Sequence, residues 1–283
     1  MINLKGYKTQ AADTTIEAEL VQFELWRRMK SERKYKCFKR LLRRGTRLVL
    51  MSLEQQFPNV SSLQFREYYL KKRWRTDLIN LSAYYKSEGK LVMEDALWLA
   101  EQVITILESL GISYYIGGSV ASSLQGEMRY TEDLDLVVDL QPQHKQALVA
   151  AMVGDYYISE IAVEDAIEGR SSSFNIIHLE TTEKADIFVM RKDDFSRIQM
   201  SRRQLYQTGN EAFSLYICTS EDSILQKLLW YRMTARESQK QWRDILGVLK
   251  LQRERLDFSY LWHWGEKLGI LQDLDQAFIE AGL

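Results

Sequence analysis

The chain has 283 residues, 46% of them hydrophobic, enough to bury one large core or two small ones. Two cysteines, Cys37 and Cys218, exclude a disulfide framework; His144, His178 and His263 stand alone without zinc-type spacing, and no apolar run approaches a membrane span. The formal net charge of −1 conceals an asymmetry: residues 1–92 hold 20 Lys and Arg against 9 Asp and Glu, and residues 93–283 hold 18 against 30, so a segment of +11 precedes one of −12.

The opening MINLKGYKTQ lacks the apolar stretch of a signal peptide, and a cytoplasmic protein is expected. Residues 1–13 show no period and read as a loose or docked arm. Thr14 or Thr15 caps a helix through IEAELVQFELWRRM, on which Leu20, Phe23, Leu25 and Met29 approximate an apolar stripe. The next helix, Ser31 to Gln56, places Phe38, Leu41, Leu42, Leu48 and Met51 on one side and crowds eight Lys and Arg between Arg33 and Arg47 on the other. Pro58 ends it, and Ser61 or Ser62 caps a third helix, LQFREYYLKKRW. From Arg75 to Val92 apolar residues are sparse, which marks a boundary. The predicted organisation is an all-helical basic module over residues 1–92, a mixed α/β domain over residues 93–218 and a helical subdomain over residues 219–283.

Glu94 to Leu110 reads as an amphipathic helix built on Leu97, Leu99, Val103, Ile106, Leu107 and Leu110 and stopped by Gly111. Tyr114, Tyr115 and Ile116 form a strand that breaks at Gly117-Gly118, and Ser119 caps a short helix whose free N–H groups favour an anion. Leu134, Leu136 and Val138 then alternate with Asp133, Asp135 and Asp139, so a strand here buries the aliphatic side chains and turns Asp133 and Asp135 to the opposite face. Their Cα atoms would stand roughly 7 Å apart. Two carboxylates so placed, with oxygen donors only, call for a hard cation, Mg²⁺ or Mn²⁺, rather than zinc.

Pro142 opens a helix through Val153, and Ala162 to Gly169 is ambiguous. Phe174 to Leu179 and Ala185 to Met190 form a hairpin, with Asp186 on the face opposite Ala185, Ile187 and Val189. Residues Ser201 to Gln207 are polar and basic, and Phe213 to Cys218 is a strand. Thr219 or Ser220 caps the helix EDSILQKLLWYRM, whose stripe of Ile224, Leu228 and Tyr231 leaves Lys227 on another side. A helix from Gln239 to Leu251 follows, and Leu256 to Leu283 carries eight apolar positions at core-packing spacings. The whole is a mixed α/β (α+β) chain with a small mixed sheet flanked by helices.

The order Gly117-Gly118-Ser119, thirteen residues, then Asp133-Leu134-Asp135 resembles the signature of the polymerase-beta-like nucleotidyltransferase superfamily. The run Arg129-x-Thr131-x-Asp133-x-Asp135 is most similar to the AbiEii-like toxin nucleotidyltransferases. The resemblance covers nearly all of residues 93–250. It implies that Gly117, Gly118 and Ser119 cradle the triphosphate of an NTP co-substrate, that Asp133 and Asp135 hold Mg²⁺, and that Asp186 is the third metal-binding and catalytic acid. It further implies supporting roles for Arg129, Lys227, Arg232, Arg243 and Asp244, with Lys227 offsetting triphosphate charge. The activity expected is transfer of an NMP group to a hydroxyl acceptor, RNA or tRNA favoured, with a protein hydroxyl and a small molecule also open.

The charge split keeps two further readings open. One is a toxin fused to its own antitoxin-like module, with the +11 segment docked on the acidic remainder from Met93 onward; the other is a non-catalytic nucleic-acid binder that retains the fold. The basic side chains of residues 33–47, with Arg73, Arg75, Tyr68, Tyr69 and Trp74 following, suit an RNA backbone and exposed bases.

Overall fold

The structure, a computed structural model, describes residues 3–61, 64, 65, 68, 69, 94–210 and 213–283. Most of the expected third helix, the pair Arg73 and Arg75, Trp74, the boundary at residues 75–92 and Met93 lie outside the described residues.

Thr15 caps α1 (Ile16–Arg28), its Oγ1 accepting from the Ala18 N–H at 3.3 Å. The buried face of α1 is not the expected stripe: Glu19 and Phe23 are buried and Leu25 is exposed. α2 (Ser31–Gln56) has the expected span, but it buries Lys34, Tyr35, Phe38, Leu42, Thr46 and Leu53 and leaves Leu48 and Met51 exposed. Asp95 caps α3 (Ala96–Ser109), accepting from Leu97 and Trp98, and β1 (Tyr114–Ile116) follows. α4 (Gly118–Gln125) leads to β2 (Leu134–Val138). A 3₁₀ turn at Pro142–His144 opens α5 (Lys145–Met152). β3 (Tyr156–Ile158) precedes α6 (Glu160–Ile167), which settles the ambiguous stretch as helix under a Ser159 cap. β4 (Ser173–His178) and β5 (Lys184–Val189) form the expected hairpin.

α7 (Asp194–Arg202) and β6 (Gln204–Asn210) occupy the stretch whose polarity hid both elements, and β7 (Phe213–Ile217) pairs with β6. α8 (Ser220–Met233), α9 (Gln239–Gln252), α10 (Phe258–Lys267) and α11 (Leu271–Ala281) complete a mixed α/β chain of eleven α-helices and seven strands among the described residues. No helix among them is long and apolar enough to cross a membrane.

The chain forms two compact units. One comprises Lys39–Tyr114 and Tyr130–Met190. Its strands run β3-β4-β5-β2, with β2 and β5 parallel and the other pairs antiparallel. α3 packs on β2 and β5. Leu97, Leu99, Val103 and Leu107 from the helix and Leu134, Leu136, Val138 and Ile187 from the strands are all buried. Basic side chains of α2 meet acids around the start of α3 here: Lys39 Nζ lies 3.0 Å from Glu101 Oε1, and Arg43 Nε 3.0 Å from the buried Asp95 Oδ2. Gly45 interrupts the middle of α2, where glycine costs about 0.5–1 kcal/mol relative to alanine.

The other unit comprises Met1–Phe38, Tyr115–Arg129 and Arg191–Leu283. β1 pairs parallel with β7, and β7 antiparallel with β6. Around α9 gather α8, α11, α4 and α1, over a core that includes Ile224, Leu228, Ile245, Leu249, Leu261 and Leu274. α1 joins through charge as well as Phe23: Lys250 Nζ lies 2.7 Å from Glu19 Oε1, both side chains buried, and Tyr7 Oη donates to the same oxygen at 2.7 Å. Where α4 ends, a Cβ on Gly126 would come within 2.8 Å of the Gly247 and Val248 backbone, so glycine is what lets α9 approach this closely.

Candidate active site

The acids of the first unit are placed by strand pairing. In β2 the burial alternates as its sequence requires, with Leu134, Leu136 and Val138 inside and Asp135 half-buried on the other face. The parallel register makes Asp135 the direct partner of Asp186 on β5, and side chains of paired residues project from the same face. Asn175 of β4 is the partner of Asp186 on its other flank. Asp133, half-buried, stands one residue before β2 begins, outside the ladder.

Asp186 already carries a cation. Lys184, two residues earlier on the same face of β5, puts its Nζ 2.8 Å from Asp186 Oδ1 and 3.0 Å from Oδ2. Neither Lys184 nor Asn175 stands out in the sequence reading; the signal for Lys184 is the two-residue spacing to Asp186 along one strand. Among the described residues no three Asp, Glu, His or Cys side chains converge to hold a metal ion. The donor set nonetheless fits a hard cation in kind. Asp135 and Asp186 are adjacent oxygen donors, and the Lys184 ammonium shows that one of them accepts positive charge at close range.

The second unit gathers Ser119, Arg129, Lys227 and Asp244. The turn before α4 uses Gly117 as N-cap and Gly118 at φ +54°, a conformation L side chains avoid; Ser119 therefore lies inside the helix and does not cap it, contrary to expectation. Instead its Oγ accepts from Arg129 Nη2 at 2.6 Å. The same guanidinium grips Asp244 with two bonds of 2.7 Å, Nε to Oδ1 and Nη2 to Oδ2. Lys227 Nζ lies 2.7 Å from Asp244 Oδ2 and 3.1 Å from Gln241 Oε1, and Ser122 Oγ reaches Asp244 at 3.3 Å.

Lys227 is 2% exposed, and its ammonium is paired with Asp244. Burial raises the Asp244 pKa, but the Arg129 hydrogen bonds and the Lys227 charge outweigh it and hold the carboxyl below its ordinary value. Through Ser119 the cluster reaches the first turn of α4, whose leading N–H groups are the kind of donor that suits an anion. Arg243 takes no part, since it pairs with Glu127, and Arg232 donates to the Gly269 carbonyl. Ser122, missed in the sequence, had one cue: SVASSLQ contains no charged residue, as befits a helix buried all round. The acidic set and the Arg129–Asp244–Lys227 set belong to different compact units.

No family model matches the chain, and no curated protein matches it. Among similar solved structures is an antigenic nucleotidyltransferase-like protein from Paracoccidioides brasiliensis, at 18% identity over 68% of this chain and 95% of that one, with a TM-score of 0.43. The antibiotic-resistance factor ANT(2″)-Ia matches at 12% identity over 63% of this chain and 96% of its own, TM-score 0.40. The lincosamide antibiotic adenylyltransferase LnuA, lincomycin-bound, matches at 15% over 57% and 99%, TM-score 0.37. Likenesses at this level carry nothing about activity.

Proposed function

We propose that the chain is a nucleotidyltransferase that moves an NMP group from an NTP to a hydroxyl acceptor. The observation that carries this is the register of β2 and β5, which sets Asp135 beside Asp186 on one sheet face, with Asp133 just ahead of the strand. Asp133, Asp135 and Asp186 would hold Mg²⁺ or Mn²⁺, which when bound supplies charge neutralisation on the reacting phosphates. The N–H groups at Gly117, Gly118 and Ser119 bind phosphate oxygens, and Arg129 adds its charge there; Asp244 orients Arg129, and Lys227 keeps Asp244 from cancelling it. Asp186, released from Lys184, takes the acceptor hydroxyl proton as the acceptor oxygen bonds to the α-phosphorus and pyrophosphate departs. The Arg129-x-Thr131-x-Asp133-x-Asp135 run supports placing the chain near AbiEii-like toxins, acting in the cytoplasm.

Incubating the full chain with each α-labelled NTP, Mg²⁺ and cell extract tests the proposal. Label is expected in the RNA or the protein fraction with one of the four nucleotides; no label in RNA, protein or the small-molecule fraction, with all four, sinks it.

RNA is the acceptor we favour, because Arg40, Arg44 and Arg47 are exposed along α2. Changing these three to Ser should weaken RNA binding and lower the slope of log affinity against log salt by about 2, at roughly 0.7 for each phosphate no longer neutralised. An unchanged slope rejects this surface.

The antitoxin-like reading draws on a specific observation of its own: Lys39 and Arg43 are spent on Glu101 and Asp95. Those pairs support intramolecular docking for these two side chains.

A further inference from the structure

Three acids carry the proposed chemistry, and the fold holds them unequally. Asp135 and Asp186 are fixed by β pairing, whereas Asp133 precedes the first residue of β2 and needs another support. The segment leading to it, Tyr130 to Glu132, finds one on α2. A Cβ built on Gly45 would lie 2.1 Å from Tyr130 Cδ2, 2.3 Å from Cε2 and 2.8 Å from Cγ, so the tyrosine ring occupies the space that any other residue at position 45 would fill. This accounts for a glycine in the middle of a 26-residue helix, where it is otherwise unfavourable.

The ring is held at its far end as well. Tyr130 Oη donates to Glu132 Oε1 at 3.0 Å and lies 3.4 Å from Oγ1 of the buried Thr46, which itself donates to the Leu42 carbonyl. Between Tyr130 and Asp133, Thr131 is buried, with its Oγ1 3.5 Å from the Asp133 carbonyl oxygen. The chain therefore enters β2 from a fixed point on α2.

From this geometry we infer that Tyr130, seated on Gly45, is a positioning residue that sets the place of Asp133 for nucleotidyl transfer; the inference rests on the function proposed for the acids. It also makes the basic helix part of the machinery that aims an acid, in addition to any contact it makes with RNA.

The test uses the full-length chain with Gly45→Ala, Tyr130→Ala and the double variant. Gly45→Ala alone is expected to lower kcat for NMP transfer on the order of 10- to 100-fold, the scale of an ångström's misplacement, with little change in KM for NTP. In the Tyr130→Ala background the same substitution should have no further effect, because the ring it collides with is gone. Hydrogen exchange reads the positioning without activity. Gly45→Ala should speed exchange at the Thr131 to Asp133 amides while Leu136 to Val138 stay protected. A Gly45→Ala chain with kcat within twofold of wild type and unchanged exchange overturns the inference, as does an equal loss in both backgrounds. A wild-type chain that transfers nothing overturns the functional reading alone, and the exchange comparison still decides the positioning.

Discussion

Replacing Asp133 and Asp135 together by Ala is expected to reduce NMP transfer by about 10³-fold or more while the chain still folds. A bound divalent ion supplies several kcal/mol of transition-state stabilisation, and each 1.4 kcal/mol or so is a factor of ten in rate, so loss of its ligands removes roughly three orders of magnitude. Folding should survive for a structural reason. Asp135 lies on the half-buried face of β2, and the residues that anchor the strand are Leu134, Leu136 and Val138, none of them 1% exposed. Label incorporation measured beside a circular-dichroism melt checks both halves; turnover retained in a folded double variant contradicts the assignment of these acids.

The second large effect is on stability, at Asp244. Its carboxylate is the common partner of Arg129 and Lys227, and the Lys227 side chain is 2% exposed. Asp244→Asn removes the counter-charge that a buried ammonium and a largely buried guanidinium share, and removing one member of such a cluster costs about 3–5 kcal/mol. Lys227→Met in the same chain should recover part of that loss, since it deletes the stranded cation, and the non-additivity is what identifies the interaction. Urea unfolding of the four proteins of this cycle measures it.

The pH dependence has a definite sign. The folded Asp244 pKa is depressed, so the carboxylate's contribution is complete above its unfolded value of 3.8 and is lost as pH falls through the lower folded value. The gap between wild type and Asp244→Asn should accordingly be full at pH 6 and shrink below about pH 4. A gap that is small at pH 6, or that widens in acid, contradicts the cluster.

Periodicity made the sheet around the acids legible. The Leu-Asp alternation of β2 and the apolar face of β5 each have the two-residue repeat of a strand with one side buried, and that repeat fixes where Asp135 and Asp186 point. The glycine turn was legible because Gly117-Gly118 can do what other residues cannot. What stayed hidden shares a single cause. Glu19, Lys227 and Lys250 are buried because each finds its opposite charge on a segment distant in sequence, and a reading that counts charged residues as surface turns those helix faces outward. β6 hid for a related reason: QLYQTGN has little apolar content and gains its strand from pairing with β7. Gly45 gives no signal inside α2, since what explains it is a tyrosine ring 85 positions further along the chain.

The most direct measurement compares two labels on one NTP. With Mg²⁺ and the acceptor fraction, α-phosphate label should enter the acceptor while γ-phosphate label leaves as pyrophosphate, both lost together in the Asp133 and Asp135 double variant. Label from the γ-phosphate appearing on the acceptor, or as free orthophosphate with no α-label transferred, would mean that a different phosphate bond is broken and that the chain is not a nucleotidyltransferase.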